Sequence, residues 1–288
     1  MGKTKNGQSS IKSIKTKGKK VARKAAYSPL MDRLTRLGYG IKGFIYIAIG
    51  LIAVQSALGK SRTPADQLGA IVAFSKLPFA DIVLWLILIG LISYSLWGVI
   101  RAVLDPFHKG TDVEGLLTRG GFLVSAATYA FLVFPTYDLI QGPSGGSQTG
   151  KTQKLIAAVM AMSFGRLIVG ALGVAGIAAG LYQIYMGITS NFEHQFKPYA
   201  LTSEQLKVAK QVGRFGTIAR GVVFGIVGFF LFLAAYYANP HEAQSFSGAL
   251  SYLAKQPYGL WLLGIVAAGL IAFGIYSLMS AAWFKLKR

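Results

Sequence analysis

The chain has 288 residues, of which 53% are hydrophobic, 14% are charged and 35 are glycine, and its mean hydropathy is +0.49; this balance belongs to membrane rather than soluble domains. Thirty Lys and Arg stand against ten Asp and Glu, a net charge of +20, with no Cys and only three His. A disulfide framework, a zinc ribbon, a thiol nucleophile and an iron–sulfur cluster are thereby excluded, and little metal chemistry is left.

The first 36 residues carry eleven Lys and Arg against the single acid Asp32. Such a segment cannot bury a core, so residues 1–32 are expected to form a disordered basic tail. The basic stretch is too long, and the apolar run behind it too extended, for a cleavable signal peptide. Asn6 stands where N-myristoylation requires Ser or Thr. With one aromatic, Tyr27, the tail lacks the stacking platforms of a nucleic-acid binder, and nucleic acid is disfavoured as a partner. An anionic leaflet, worth about 1 kcal/mol per Lys or Arg, is the expected contact.

Six apolar runs follow, near 40–59, 80–104, 120–140, 165–189, 215–237 and 259–284, each long enough to cross roughly 30 Å of hydrocarbon as a helix. They lack the period-2 alternation of barrel strands. Asp105-Pro106 ends the second run. Between the third and fourth, Gly145 to Thr152 reads GGSQTGKT and matches the phosphate-loop spacing, but no strand precedes it and no acidic magnesium partner accompanies it; a flexible Gly/Ser/Thr loop is expected. The same loop holds Gly142-Pro143-Ser144-Gly145, the string of a rhomboid-type serine protease. Ser144 lies outside the apolar run, however, and neither His194 nor His241 sits on a later span. His108, His194 and His241 never pair at metal-ligand spacing. Cytoplasmic segments keep an excess of Lys and Arg, and the bias places both termini in the cytoplasm.

The span pairs repeat. Arg36, Gly38, Lys42, Gly43, Tyr46 and Gly50 open the first unit, and Arg214, Gly216, Arg220, Gly221, Phe224 and Gly228 open the third at identical spacing. The second keeps Arg119, Gly121 and Tyr129 but has Ser125 and Ala126 in place of the basic–Gly pair. In the second helices, Pro78-Phe79 and Pro257-Tyr258 precede Gly90 and Gly269 equally, with Trp97, Tyr182 and Tyr276 at one offset further on and Gly69-Ala70 and Gly248-Ala249 equally far upstream. The chain divides into the tail, 1–32, and three repeats, 33–110, 111–196 and 197–288, the middle one degenerate. At these motifs the sequence resembles the bacterial membrane-protein family known as domain of unknown function 1206, over roughly residues 33–285. The resemblance implies three tandem two-helix units and a location in the bacterial cytoplasmic (inner) membrane; it implies no activity.

The expected fold is therefore all-α integral membrane, six transmembrane helices as three tandem two-helix repeats. Because each unit returns the chain to its starting side, the repeats are related by a pseudo-threefold axis along the membrane normal. Gly43, Gly50, Gly90, Gly176, Gly180, Gly221, Gly225 and Gly269 are expected at packing seams. Arg36, Lys42, Arg119, Arg214 and Arg220 are the candidate contacts for anions or lipid headgroups, either snorkelling to the cytoplasmic headgroups or facing the axis as a basic ring. No acid, base, nucleophile and metal set is coherent, so no catalysis, cofactor or metal is expected. The sequence reads as a multi-pass, non-enzymatic membrane protein whose basic cytoplasmic face contacts anionic phospholipids or a partner, homo-oligomerisation being open. The alternative is a small-molecule or anion transporter or channel around the axis.

Overall fold

A computed structural model describes residues 29–58, 60, 65–105, 110–142, 148–189 and 202–283. Nine α-helices are found among them: α1 (Pro29–Ala57), α2 (Gln67–Phe74), α3 (Ala80–Leu104), α4 (Val113–Gln141), α5 (Gln148–Met160), α6 (Gly165–Thr189), α7 (Ser203–Tyr236), α8 (Phe246–Ala254) and α9 (Gly259–Trp283), with a 3-10 turn at Pro240–Glu242. No strand occurs among the described residues. Six helices, α1, α3, α4, α6, α7 and α9, are long and apolar enough to cross a membrane.

Three boundaries differ from the expectation, each for a local reason. The basic tail lies outside the described residues as far as residue 28, but Pro29–Asp32, assigned to it, already belong to α1, where the Asp32 carboxylate accepts from Arg36 Nε one turn on at 2.9 Å. Helix α7 begins at Ser203, well before residue 215. The Thr202 hydroxyl accepts from the Gln205 amide while the Gln205 side chain accepts from the Thr202 amide, a reciprocal cap that starts the helix ahead of its apolar run. The segment read as a flexible Gly/Ser/Thr loop is helical from Gln148 onward. It forms α5, whose Ile156 is buried with Val169 and Ala235 and whose Gln153 amide donates to the His241 carbonyl at 2.9 Å. Residues 143–147, with Ser144, lie outside the described residues, as do His108 and His194.

Helices α2, α5 and α8 are the short elements between the two spans of each unit. Asp66 caps α2 by accepting from the Gly69 amide at 2.8 Å, and Ser245 caps α8 through Gly248. Each short helix is turned into the following span by an aromatic residue in the left-handed region, Phe79 at φ 62°, Phe164 at φ 92° and Tyr258 at φ 59°. Non-glycine residues adopt that conformation at a cost of about 1–2 kcal/mol. Among the described residues these rings are also the most exposed large apolar side chains, at 80%, 81% and 84%, as expected of interfacial aromatics.

The spans pack chiefly between units. Each second helix lies against the first helix of the next unit: α3 on α4, α6 on α7 and α9 on α1. Glycine permits the close approach, since a Cβ on Gly274 would stand 2.7 Å from the Gly43 carbonyl oxygen and one on Gly180 2.7 Å from that of Gly221. At the equivalent point of the α3–α4 pair the Ser95 hydroxyl donates to the Ala126 carbonyl at 2.9 Å. Packing inside a unit is unequal. α1 lies against α3 and α7 against α9, whereas α4 and α6 hardly touch. Thr118 Oγ1 of α4 and Tyr182 Oη of α6 lie 3.4 Å apart. The backbone and Cβ of Tyr94 and Phe273, at equivalent positions, meet Gly38 and Gly216 of their own units, whereas Ala179 at that position of the second unit is exposed. A Cβ on Gly121 would accordingly meet nothing within 4 Å.

A candidate anion site in the bundle interior

The five basic residues singled out in the sequence separate into two sets. Arg36, Arg119 and Arg214 bind the exposed carbonyls at the C-termini of second spans. Arg36 Nη1 donates to Ala281 O at 2.9 Å and to Ala282 O. Arg119 Nε donates to Ala102 O at 2.7 Å, and Arg214 Nη2 to Ile188 O at 2.7 Å. The last carbonyls of a helix lack intrahelical donors and carry partial negative charge, so a guanidinium there satisfies both needs. Each bond runs to the preceding unit in cyclic order: unit one to α9, unit two to α3, unit three to α6. These arginines fasten neighbouring units together at the end of the bundle that carries Pro29 and Trp283.

Lys42 and Arg220 lie six residues further along their helices, about 9 Å deeper at 1.5 Å per residue, and are turned inward. Lys42 is 5% exposed; its Nζ donates to Tyr94 Oη at 2.8 Å and lies 4.8 Å and 4.9 Å from the Tyr94 and Phe273 ring centres. The Arg220 guanidinium is half-buried and sits over the same Phe273 ring at 5.0 Å, with Phe224 at 4.9 Å and Tyr46 at 5.7 Å. Sequence reading missed a third cation, Arg101 of α3, also 5% exposed. Its Cζ lies 4.5 Å from the Phe122 ring and 5.5 Å from Tyr94, and Nη1 donates to Tyr39 Oη at 3.1 Å. Arg101 has no counterpart in the repeat, because Met186 and Ser280 take the equivalent positions. The available signal was different: an ionisable residue inside an apolar run is costly and marks an interior-facing position. Arg101 supplies from α3, beside Phe122, a cation that the second unit lacks at Ser125.

Electrostatically the cluster is incomplete. The one ion pair among the described residues joins Arg36 to Asp32, so no carboxylate answers Lys42, Arg101 or Arg220. Removing a cation from water costs several kcal/mol. Each ring contact returns about 0.5–2 kcal/mol, and a hydrogen bond from a charged donor about 1.5–3 kcal/mol. Donors remain unused: Arg101 Nε and Nη2 and Arg220 Nε are buried without an acceptor, and Gln183 Oε1 is buried without a donor.

The expected seam glycines are placed as follows. Added Cβ atoms on Gly43 and Gly50 would meet Gly274 O and Ala267 O of α9, each at 2.8 Å, on Gly176 the Gly228 Cα at 2.9 Å, and on Gly180 the Gly225 amide nitrogen at 2.6 Å. Those on Gly90, Gly221 and Gly269 would run into Ile41, the Gly180 carbonyl and Ala219. Gly225 lends its backbone to the α6–α7 seam, while its own Cβ direction is open.

The molecule is thus an all-helical protein of the multi-pass membrane class, built from three two-helix units fastened in cyclic order around buried cations. Segments 37–105, 120–190 and 215–283 each match the family described as Domain of Unknown Function (DUF1206), and the chain belongs to that family. It is 33% identical over 255 residues to a protein of Bacillus subtilis (strain 168) named "Uncharacterized protein YxxB", a match covering 88% of this chain and 92% of that one. No solved structure matches.

Proposed function

We propose that this is a non-enzymatic protein of the bacterial cytoplasmic membrane, with both termini in the cytoplasm, that engages anionic phospholipid headgroups at its basic end. The observation that carries this reading is the concentration of Arg36, Arg119, Arg214, Lys42, Arg101 and Arg220 toward one end of the bundle, the inner three without carboxylate partners. The 28 residues that lead into α1 at that end carry nine further Lys and Arg. Native mass spectrometry of the gently extracted full-length protein beside a form lacking residues 2–24 tests it. Anionic lipid should co-purify with the full chain and fall on deletion; lipid content that is zero in the full chain, or unchanged on deletion, counts against the headgroup role or the tail's share in it respectively.

A second reading, an anion transporter around the axis, is favoured by the inward turn of Lys42 and Arg220. Proteoliposomes should then show anion flux that is lost when both are neutralised, and absence of flux across a broad anion panel would dispose of it.

A further inference from the structure

We infer that the degenerate second unit is the lateral entrance of a phospholipid site, in which the phosphate of an anionic lipid passes between α4 and α6 to reach Arg101 and Arg220, beside Lys42. The inference rests on the proposed engagement of anionic lipid and assigns it to one place in the fold.

Three independent observations meet there. The first is chemical demand: Arg101 Nε and Nη2 and Arg220 Nε are buried donors without acceptors, and Arg101 is 95% removed from solvent. A phosphate oxygen is the acceptor that guanidinium geometry fits. The second is the gap. In units one and three the backbone and Cβ of Tyr94 and Phe273 press on the glycine of the first span and their rings lie against Lys42 and Arg220, whereas the second unit has ringless, exposed Ala179 at that position and an open Gly121. The same unit has Ser125 where its sisters carry Lys42 and Arg220, so both changes remove bulk from one side of the cluster. The third is where the gap leads. α4 and α6 are the least buried spans, 28% and 17% against 50% and 56% for α1 and α9, and the large apolar side chains near the gap in sequence, Leu123, Val124, Leu181 and Tyr185, are exposed as on a lipid-facing surface. An anion arriving from that side comes attached to acyl chains.

Gln183 refines the ligand. Its Cβ lies 3.1 Å from where a Cβ on Gly221, the residue after Arg220, would stand, and its buried Oε1 lacks a donor. A headgroup with a hydroxyl beside its phosphate supplies that donor, which makes a glycerol headgroup the best match.

The test uses the full-length protein in mild detergent, titrated with short-chain phosphatidylglycerol, with phosphatidylethanolamine or with inorganic phosphate, while thermal unfolding is followed. Phosphatidylglycerol should raise the melting temperature of the unaltered protein. Arg101→Gln and Arg220→Gln should each shift the titration midpoint at least tenfold while melting no lower than the parent in the absence of lipid, because each removes an uncompensated buried cation; a purely structural arginine would lower it. Ala179→Phe, which places a ring where units one and three hold Tyr94 and Phe273 against the cations and removes no charge, should lose the response as well. Wild-type midpoints in all three variants would overturn the site, and the proposed headgroup role would then stand or fall on the tail deletion alone. Inorganic phosphate acting as strongly as phosphatidylglycerol would replace the lipid with a water-borne anion and overturn the lateral entrance. No stabilisation by any of the three ligands would overturn the site as a whole.

Discussion

Among the basic residues, position relative to a helix end decides the role. Arg36, Arg119 and Arg214 satisfy carbonyls that a helix C-terminus leaves open, so truncation of each to Ala should cost about 1 kcal/mol through the lost hydrogen bonds. Denaturant titrations of the three single variants in detergent check this, and unchanged midpoints would show that water serves those carbonyls equally well. Asp66 gives a prediction of opposite sign. It lies outside the spans with no solvent exposure, and burial pushes its carboxyl above the ordinary value despite the hydrogen bond from the Gly69 amide, its Oδ2 having no partner. A raised folded value means that the fold favours the protonated form. The contribution of Asp66 is therefore fully present below the unfolded carboxylate value of about 3.9 and is lost as pH rises through the folded value. Asn caps a helix as well as Asp does, so Asp66→Asn should be at least as stable as the parent at pH 7, with the difference closing toward pH 4. A loss of stability at neutral pH would show that the capping charge outweighs its desolvation.

At the scale of the element, the seam glycines are not equivalent, and α7 offers a controlled comparison within one turn. A Cβ on Gly228 would stand 2.6 Å from the Gly176 carbonyl carbon and 2.8 Å from the Gly173 carbonyl oxygen, both backbone atoms of α6 that cannot rotate away. A Cβ on Gly225 would meet nothing within 4 Å. Gly228→Ala should therefore cost about 1–3 kcal/mol by pushing α6 off α7, while Gly225→Ala should be neutral or gain up to about 1 kcal/mol from helix propensity. Equal effects at the two positions would mean that α6 and α7 pack less closely than described. The contrast also marks where sequence reading stops. Spacing identified glycines at i and i+4 as one seam, since a stripe is a local property, but which glycine meets backbone depends on the facing helix. The short helices α2, α5 and α8 escaped for a related reason: runs of 8–13 residues are too short for apolar length to reveal, and tertiary contacts and caps hold them. Arg101 escaped because repeat comparison finds what the units share, whereas this residue occurs in one unit alone.

Across the whole molecule, the repeat predicted the symmetry of the units but not the order in which they hold one another. The dense pairs are α3–α4, α6–α7 and α9–α1, so every tight interface joins two units, and each terminal arginine bond does the same. A unit removed from its neighbours keeps its internal glycine contacts, Gly90 on Ile41 in the first and Gly269 on Ala219 in the third, and loses the denser seams that join it to the next unit. Without water in the hydrocarbon to drive apolar burial, those seams are the main source of association between spans. Expression of residues 1–196 alone would strand the α1 face that receives α9 and the α6 face that receives α7. Residues 197–288 alone would strand the complementary faces of α9 and α7. Neither fragment should accumulate as a folded species, whereas co-expression of the two should restore a complex that co-purifies and melts as one unit, because both interfaces can form across the break. A cut between the two helices of the second unit should be tolerated better still, since α4 and α6 hardly touch and the chain there crosses no tight interface. Stable accumulation of the single two-helix fragment would place its stability inside the unit and refute the cyclic scheme.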